Sequence, residues 1–139
     1  MADDYDKPVP RQLSPELTQP FWDAAKRHEL IIPRCRKCGS YFWFPREMCP
    51  FCLERDWEWT QASGNARLHT FTVVRQPQNP NFQEDTPYAY AMVELVEGVR
   101  MISNITNCDI PDGLEVDMPL VVDFDDVTDD WTLVKFKPA

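Results

Sequence analysis

Hydrophobic alternation is cleanest in the second half of the chain. From Tyr88 to Val96, Ala89, Ala91, Val93 and Leu95 alternate with Tyr88, Tyr90, Met92 and Glu94, the two-residue period of a strand with one buried face. Glu97-Gly98 reads as a two-residue turn into a partner strand over Val99–Thr106, so this stretch predicts a hairpin. Arg67–Arg75, Leu120–Phe124 and Thr132–Phe136 are further runs rich in β-branched and aromatic residues. No helical pattern longer than a turn interrupts them. Five short strands after Gly64 suit a small Greek-key barrel of the OB type, with an SH3-like barrel or a small sandwich as alternatives. Between two of them lies the twelve-residue stretch Gln76–Pro87, with three Pro and Phe82. Read as a structureless loop, it is either a binding loop or a crossover with a mobile tip.

The first half is patterned differently. Residues 1–13 are polar and broken by Pro8 and Pro10, as in a flexible arm. Phe21, Trp22 and Ala25 then form one apolar stripe with Asp23, Lys26 and Arg27 outside it, predicting a short helix from Pro20 to about Glu29. Ser14-Pro15 and Thr18-Gln19-Pro20 each place a polar residue before a Pro suited to a first helical turn. Leu30-Ile31-Ile32 reads as a short strand stopped by Pro33, and Tyr41-Phe42-Trp43-Phe44-Pro45 as another. The expected organisation is an arm over 1–13, a helix with a metal ribbon over 14–60, and a barrel over 61–139.

Composition bounds this picture. A chain of 139 residues with 43% hydrophobic content can bury a core. Net charge is −9, which argues against a surface devoted to nucleic acid. The charge is uneven: residues 1–60 carry nine basic and ten acidic side chains, and residues 61–139 five and thirteen. No stretch approaches the roughly 18 apolar residues of a membrane span. The acidic start lacks the apolar segment of a secretion signal. A soluble cytoplasmic protein is therefore expected, in which thiols stay reduced unless a metal takes them.

Five cysteines make an odd number that a pure disulfide framework cannot use. Four of them fall as Cys35-Arg-Lys-Cys38 and Cys49-Pro-Phe-Cys52, with ten residues between the pairs. Each pair makes a tight knuckle, and two facing knuckles offer four thiolates in a tetrahedron, the arrangement Zn²⁺ prefers. Iron could use the same four sulfurs, but the paired-knuckle spacing favours zinc. A closed four-thiolate shell has no open position for water, so the expected role is structural. Tyr41–Pro45 between the pairs would form the hairpin of a rubredoxin-like ribbon. Cys108 lies outside the pattern and reads as a partly buried free thiol. His28 and His69 are the only histidines, and no local nucleophile-base motif, phosphate loop or calcium loop is present. The acids between Asp109 and Asp130 read as a solvated hairpin.

Taken together, the Phe-Trp helix, L-I-I-P-R-C-R-K-C-G, F-P-R-E-M-C-P-F-C, A-S-G-N-A-R-L-H-T-F-T-V-V, Y-A-M-V-E-L-V-E-G-V-R-M-I-S-N-I and the closing V-K-F-K-P resemble one family. It is the acyl-CoA-associated zinc-ribbon/OB-fold family, long catalogued as a domain of unknown function. The resemblance spans nearly all of residues 14–138. Asn65-Ala66 departs from it, where relatives often carry a second Gly.

The resemblance implies a non-catalytic accessory subunit, in a hetero-oligomer with a thiolase-fold enzyme that supplies the catalytic residues. The small subunit would supply contact surface and part of an acyl-CoA site. The favoured setting is a steroid side-chain-shortening aldolase acting on CoA thioesters. An acetoacetyl-CoA thiolase/hydroxymethylglutaryl-CoA synthase assembly or an acyltransferase complex is the alternative. In that role Arg34, Arg36, Lys37 and Arg46 would meet CoA phosphates. Phe21, Trp22, Trp43 and Phe44 would stack on adenine or cover the pantetheine arm. The competing reading gives the cations to charge balance around the zinc and the aromatics to a small core. Zinc ribbons and OB barrels also bind nucleic acid, but the acidic barrel half opposes that use.

Overall fold

The computed structural model describes residues 5–139; the first four residues of the expected arm lie outside them. Helix α1 spans Pro15–Lys26, one turn earlier than the sequence pattern suggests, and it runs through Pro20. Phe21, Ala24 and Ala25 are its buried face, and this packing outweighs the backbone bond that an interior proline removes. The helix ends in a Schellman motif. The Glu29 N–H bonds to the Ala24 carbonyl at 2.9 Å and the His28 N–H to the Ala25 carbonyl at 2.8 Å. His28 takes the left-handed position with φ 61°.

Strand β1 (Ile31–Cys35) pairs antiparallel with β2 (Trp57–Gln61). Pro33 does not stop β1 as expected, because a two-stranded sheet leaves one side of each strand free and a proline fits where no N–H is required. The expected strand over Tyr41–Pro45 does not form. Its pairing is limited to an isolated bridge between Tyr41 and Arg34, with the Phe42 N–H on the Pro33 carbonyl at 3.1 Å. The ribbon hairpin is closed instead by β2, from beyond the second cysteine pair.

Five strands form the barrel: β3 (Asn65–Val74), β4 (Tyr88–Leu95), β5 (Arg100–Ser103), β6 (Pro119–Asp126) and β7 (Thr132–Pro138). Their order is β5-β4-β3-β6-β7. The residues after β5 curl round to β7, where Ile105 pairs in parallel with Phe136 and the Thr106 N–H reaches the Phe136 carbonyl at 2.8 Å. This closure is that of an OB barrel. A bulge at His69, between Leu68 and Thr70, bends β3 so that it can serve both β4 and β6. Gln76–Pro87 is not structureless. Pro80–Asp85 is a 3-10 turn whose start is capped by the Asn79 side chain, and Phe82 is half-buried.

Two cores result. The larger holds Leu68, Val93, Leu95, Leu120 and Phe136, together with Phe21 from α1, Leu30 from the link that follows it and Ile32 from β1. The smaller is Cys35, Phe42 and Cys49, flanked by Cys52 and Trp57. The link between ribbon and barrel is tightly held. Gly64 has φ +87°, and a Cβ there would lie 2.7 Å from Val122 Cγ1. The Val122 N–H bonds to the Gly64 carbonyl at 2.8 Å, and the Glu97 carboxylate accepts the Ser63 N–H at 2.9 Å.

Candidate metal centre and adjoining aromatic groove

The two knuckles bring the Sγ atoms of Cys35, Cys38, Cys49 and Cys52 within 4.8 Å of one another. Cys35 and Cys52 sulfurs are 3.6 Å apart, and those of Cys38 and Cys49 3.7 Å. A tetrahedral zinc with bonds of about 2.3 Å separates its sulfurs by about 3.8 Å, so the donor set fits the ion. Backbone N–H groups of Cys38 and Phe51 point at the sulfurs of Cys35 and Cys49, both at 3.4 Å, and would support thiolates there. Gly39, with φ +75°, lets the first knuckle close on Cys35 through its N–H to the Cys35 carbonyl at 3.0 Å.

Crowding splits the thiols' acidities. Hydrogen bonds from the Ser40 side chain and backbone bring Cys38 down to about 6. At Cys52 the Glu54 backbone acts to lower the value, but burial and the three neighbouring sulfurs push it up to about 11. A divalent cation would hold all four sulfurs as thiolates, because metal ligands must be deprotonated.

Each of the cations named from sequence has a partner nearby. Arg36 pairs with Asp56 at 2.6 Å and Glu58 at 3.3 Å, and Lys37 with Glu54 at 3.7 Å. The Arg34 guanidinium lies 4.8 Å from the Tyr41 ring centroid and donates to the Gly39 carbonyl. Arg46 donates to the Phe44 carbonyl at 3.4 Å.

The aromatics named from sequence converge elsewhere. Phe21 lies 5.1 Å from Trp22 and 4.9 Å from Trp43, and Trp43 lies 6.1 Å from Phe44, all between ring centroids. These four line a cavity of about 590 Å³ together with Tyr90, Met92 and Ile102 on the outer face of β4 and β5. Phe44, Tyr90 and Ile102 are all exposed. Arg34, Arg36, Lys37 and Arg46 do not line it. Its cations are Arg100 and Lys135, which the sequence reading did not single out. A signal existed: the outward face of β4 carries Tyr88, Tyr90 and Met92, where a solvated strand carries charged residues. Arg100 leans toward Glu94 at 3.7 Å, and Lys135 is bonded to Asp125 at 2.7 Å.

A second cavity of about 510 Å³ adjoins the first and shares Tyr90, Asn104, Leu133 and Lys135 with it. Tyr5 and Lys7 from the arm and Phe82 from the 3-10 turn close its far side, tied by a Lys7–Asp85 ion pair of 3.0 Å.

His28 is tied to the barrel. His28 Nε2 lies 2.9 Å from an Asp126 oxygen, and its ring stacks on Phe124 at 5.1 Å. The Thr132 hydroxyl, and then His28, hold the Asp126 carboxyl below the usual carboxylate range. Burial, and then Asp109, push the Cys108 thiol up, away from the reactive thiolate form.

Comparisons with known proteins agree with this architecture. Residues 22–58 match the ChsH2 rubredoxin-like zinc ribbon domain, and residues 59–125 the ChsH2 C-terminal OB-fold domain. A DUF35 domain-containing scaffold protein of Methanothermobacter thermautotrophicus is 37% identical over 92 residues, covering 66% of this chain and 68% of that protein. A probable enoyl-CoA hydratase alpha subunit of Thermomonospora curvata is also 37% identical, over 86% of this chain, yet the chain spans only 37% of that subunit's length. Among solved structures, a chain of the Ltp2-ChsH2(DUF35) aldolase superposes with a TM-score of 0.80 at 32% identity, covering 95% of this chain and 98% of that one. No helix among the described residues is long and apolar enough to cross a membrane.

Proposed function

The chain belongs to the DUF35 family, and from that premise we propose that it is a non-catalytic accessory subunit, which binds a thiolase-fold enzyme and helps form its acyl-CoA site. The observation that carries this reading is the likeness over nearly the whole chain to a subunit of a two-component aldolase. The favoured reaction of the complex is therefore retro-aldol cleavage of a CoA thioester, with the catalytic groups on the partner.

The residues support this division of labour. Cys35, Cys38, Cys49 and Cys52 would hold a structural zinc, which supplies a cross-link rather than chemistry at substrate. His28 is engaged with Asp126 and stacked on Phe124, and burial pushes the Cys108 thiol up, away from the reactive thiolate form. The aromatic groove offers the exposed apolar area that marks interaction sites.

The test is affinity purification of the tagged full chain from its native cell, with mass spectrometry of what accompanies it. A thiolase-fold chain in stoichiometric amount, with acyl-CoA turnover only in the complex, is the expected result. Turnover of an acyl-CoA by the pure chain alone would sink the reading.

A further inference from the structure

The geometry points to residues 5–13 as a strap on the second cavity. The Lys7–Asp85 ion pair is its clasp and Tyr5 its plug, and release of the clasp uncovers the cavity while the barrel stays folded. The strap is a property of this chain by itself, whichever partner the chain serves, so it goes beyond the accessory-subunit reading.

Three observations carry it. First, the strap is held at its two ends and by little between. Beside α1, the Gln12 side chain donates to Gln19 at 2.9 Å and accepts from the Thr18 hydroxyl at 2.5 Å. At the other end the Lys7 ammonium lies 3.0 Å from the Asp85 carboxylate and 6.0 Å from the Tyr5 ring centroid. Pro8, Val9 and Arg11, between these anchors, are exposed. Among the described residues, no backbone hydrogen bond joins the segment to the barrel, so it can leave without breaking a strand ladder. Pro8 and Pro10 favour extended backbone at the residues before them, which limits the freedom lost when the strap is seated.

Second, the seat is fastened without the strap. The 3-10 turn carries Phe82 and Asp85 to the cavity. The Asn79 side chain accepts the Asn81 N–H at 2.9 Å, and the Thr86 hydroxyl donates to the Gln83 carbonyl at 2.6 Å. The Gln83 amide donates to the Arg75 carbonyl at 3.3 Å. None of these bonds involves the arm.

Third, the clasp is one specific pair that solvent can reach. Asp125 also lines the cavity, but Lys135 takes it at 2.7 Å, which leaves Asp85 as the carboxylate for Lys7. The Lys7 and Asp85 side chains are 24% and 43% exposed, so dissolved ions screen their attraction. Tyr5 and Lys7 share the cavity lining with Tyr88, Ile105, Val127 and Leu133. Loss of the strap therefore leaves those apolar side chains more open to water.

The experiment uses the zinc-loaded full chain with 3-fluorotyrosine at its four tyrosines. The Tyr5 fluorine resonance is assigned through Tyr5→Phe, and the neutral apolar dye Nile red probes the cavity. At low salt the Tyr5 resonance should lie away from that of the free amino acid. Lys7→Glu and Asp85→Lys should each raise the open fraction about fivefold or more, through loss of a half-exposed pair and a new repulsion. The resonance should move toward the free position, and dye emission should rise with it. The double variant with both changes should return both signals to native values. The melting temperature of each variant should fall by no more than about 5 °C. In the native chain, salt at about 1 M should move the Tyr5 resonance in the same direction as the single variants.

A native Tyr5 resonance already at the free position would mean that no strap is seated and would overturn the inference. Single variants that leave the resonance in place, or a double variant that fails to restore it, would do the same. A resonance that moves with no change in dye emission would show that Tyr5 covers nothing, with the same consequence. Arg36→Gln, whose ion pairs lie on the ribbon, should move neither signal; a response there would make the effect one of overall charge and remove the clasp.

Discussion

The ribbon and the barrel solve the same problem with different physics. The barrel has fifteen buried residues in one cluster shared with α1 and β1, so its stability comes from area removed from water. The ribbon has three, two of which are cysteines. So small a core cannot offset the conformational entropy of ordering its loops, and a metal has to make up the difference. The difference teaches where each part is vulnerable: the ribbon to loss of a ligand, the barrel to loss of a side chain.

The sharpest way to break this contrast is Cys49→Ala. Cys49 is fully buried and carries both a sulfur and part of the small core. Binding of a structural zinc contributes about 10–16 kcal/mol in small metal-folded modules, so this change should abolish zinc retention and unfold the knuckles. The far-ultraviolet signal of the barrel should largely persist. Metal analysis after dialysis, with circular dichroism, would check it; a variant that keeps one zinc per chain would refute the contrast.

Phe136→Ala attacks the other side. Phe136 is fully buried in β7, and removing such a ring costs about 3–5 kcal/mol. Denaturant unfolding should show that loss, with zinc still bound in the folded fraction. Zinc release in parallel with the loss of barrel stability would mean that the two parts fold as one.

The smallest expected effect lies at the latch between them. Asp126 joins the C-terminal end of α1 to the β6–β7 hairpin through His28 and Thr132. Its carboxyl titrates below its ordinary value of 3.8. A depressed acid stabilises the fold above its unfolded value, and that contribution is lost as pH falls through the folded one. Native stability should therefore fall more steeply below about pH 4 than that of Asp126→Asn, while the two curves run nearly parallel at higher pH. The group is more than half exposed, so solvent screening keeps the difference small. Acid titrations followed by fluorescence would show it, and identical acid limbs would remove the latch from the account.

Much of this was legible in the residues. The alternation along β4 appears as buried Ala89, Ala91, Val93 and Leu95, because one solvated face enforces a strict period. The cysteine spacing correctly paired the knuckles, since four sulfurs admit few geometries. Other features depend on contacts distant in sequence. Tyr41–Phe44 has the composition of a strand, yet Phe42 goes to the small core, Trp43 to Phe21, and Phe44 to solvent. Trp57–Gln61 has the alternation of a strand but sits where composition marks a boundary, and only its pairing with β1 reveals it. Arg36 reads as a free cation until Asp56 and Glu58 arrive from the far side of the ribbon.

Helix α1 packs against β7, the first regular element among the described residues against the last. On the ribosome the metal clip can close once Cys52 has emerged, but Phe21 and Trp22 have no barrel to rest on until Phe136 follows. Domains usually settle in the order in which they are made. Here an early aromatic helix can rest on the ribbon, through Phe21 and Trp43, but its barrel-facing side waits for the last strand to be made.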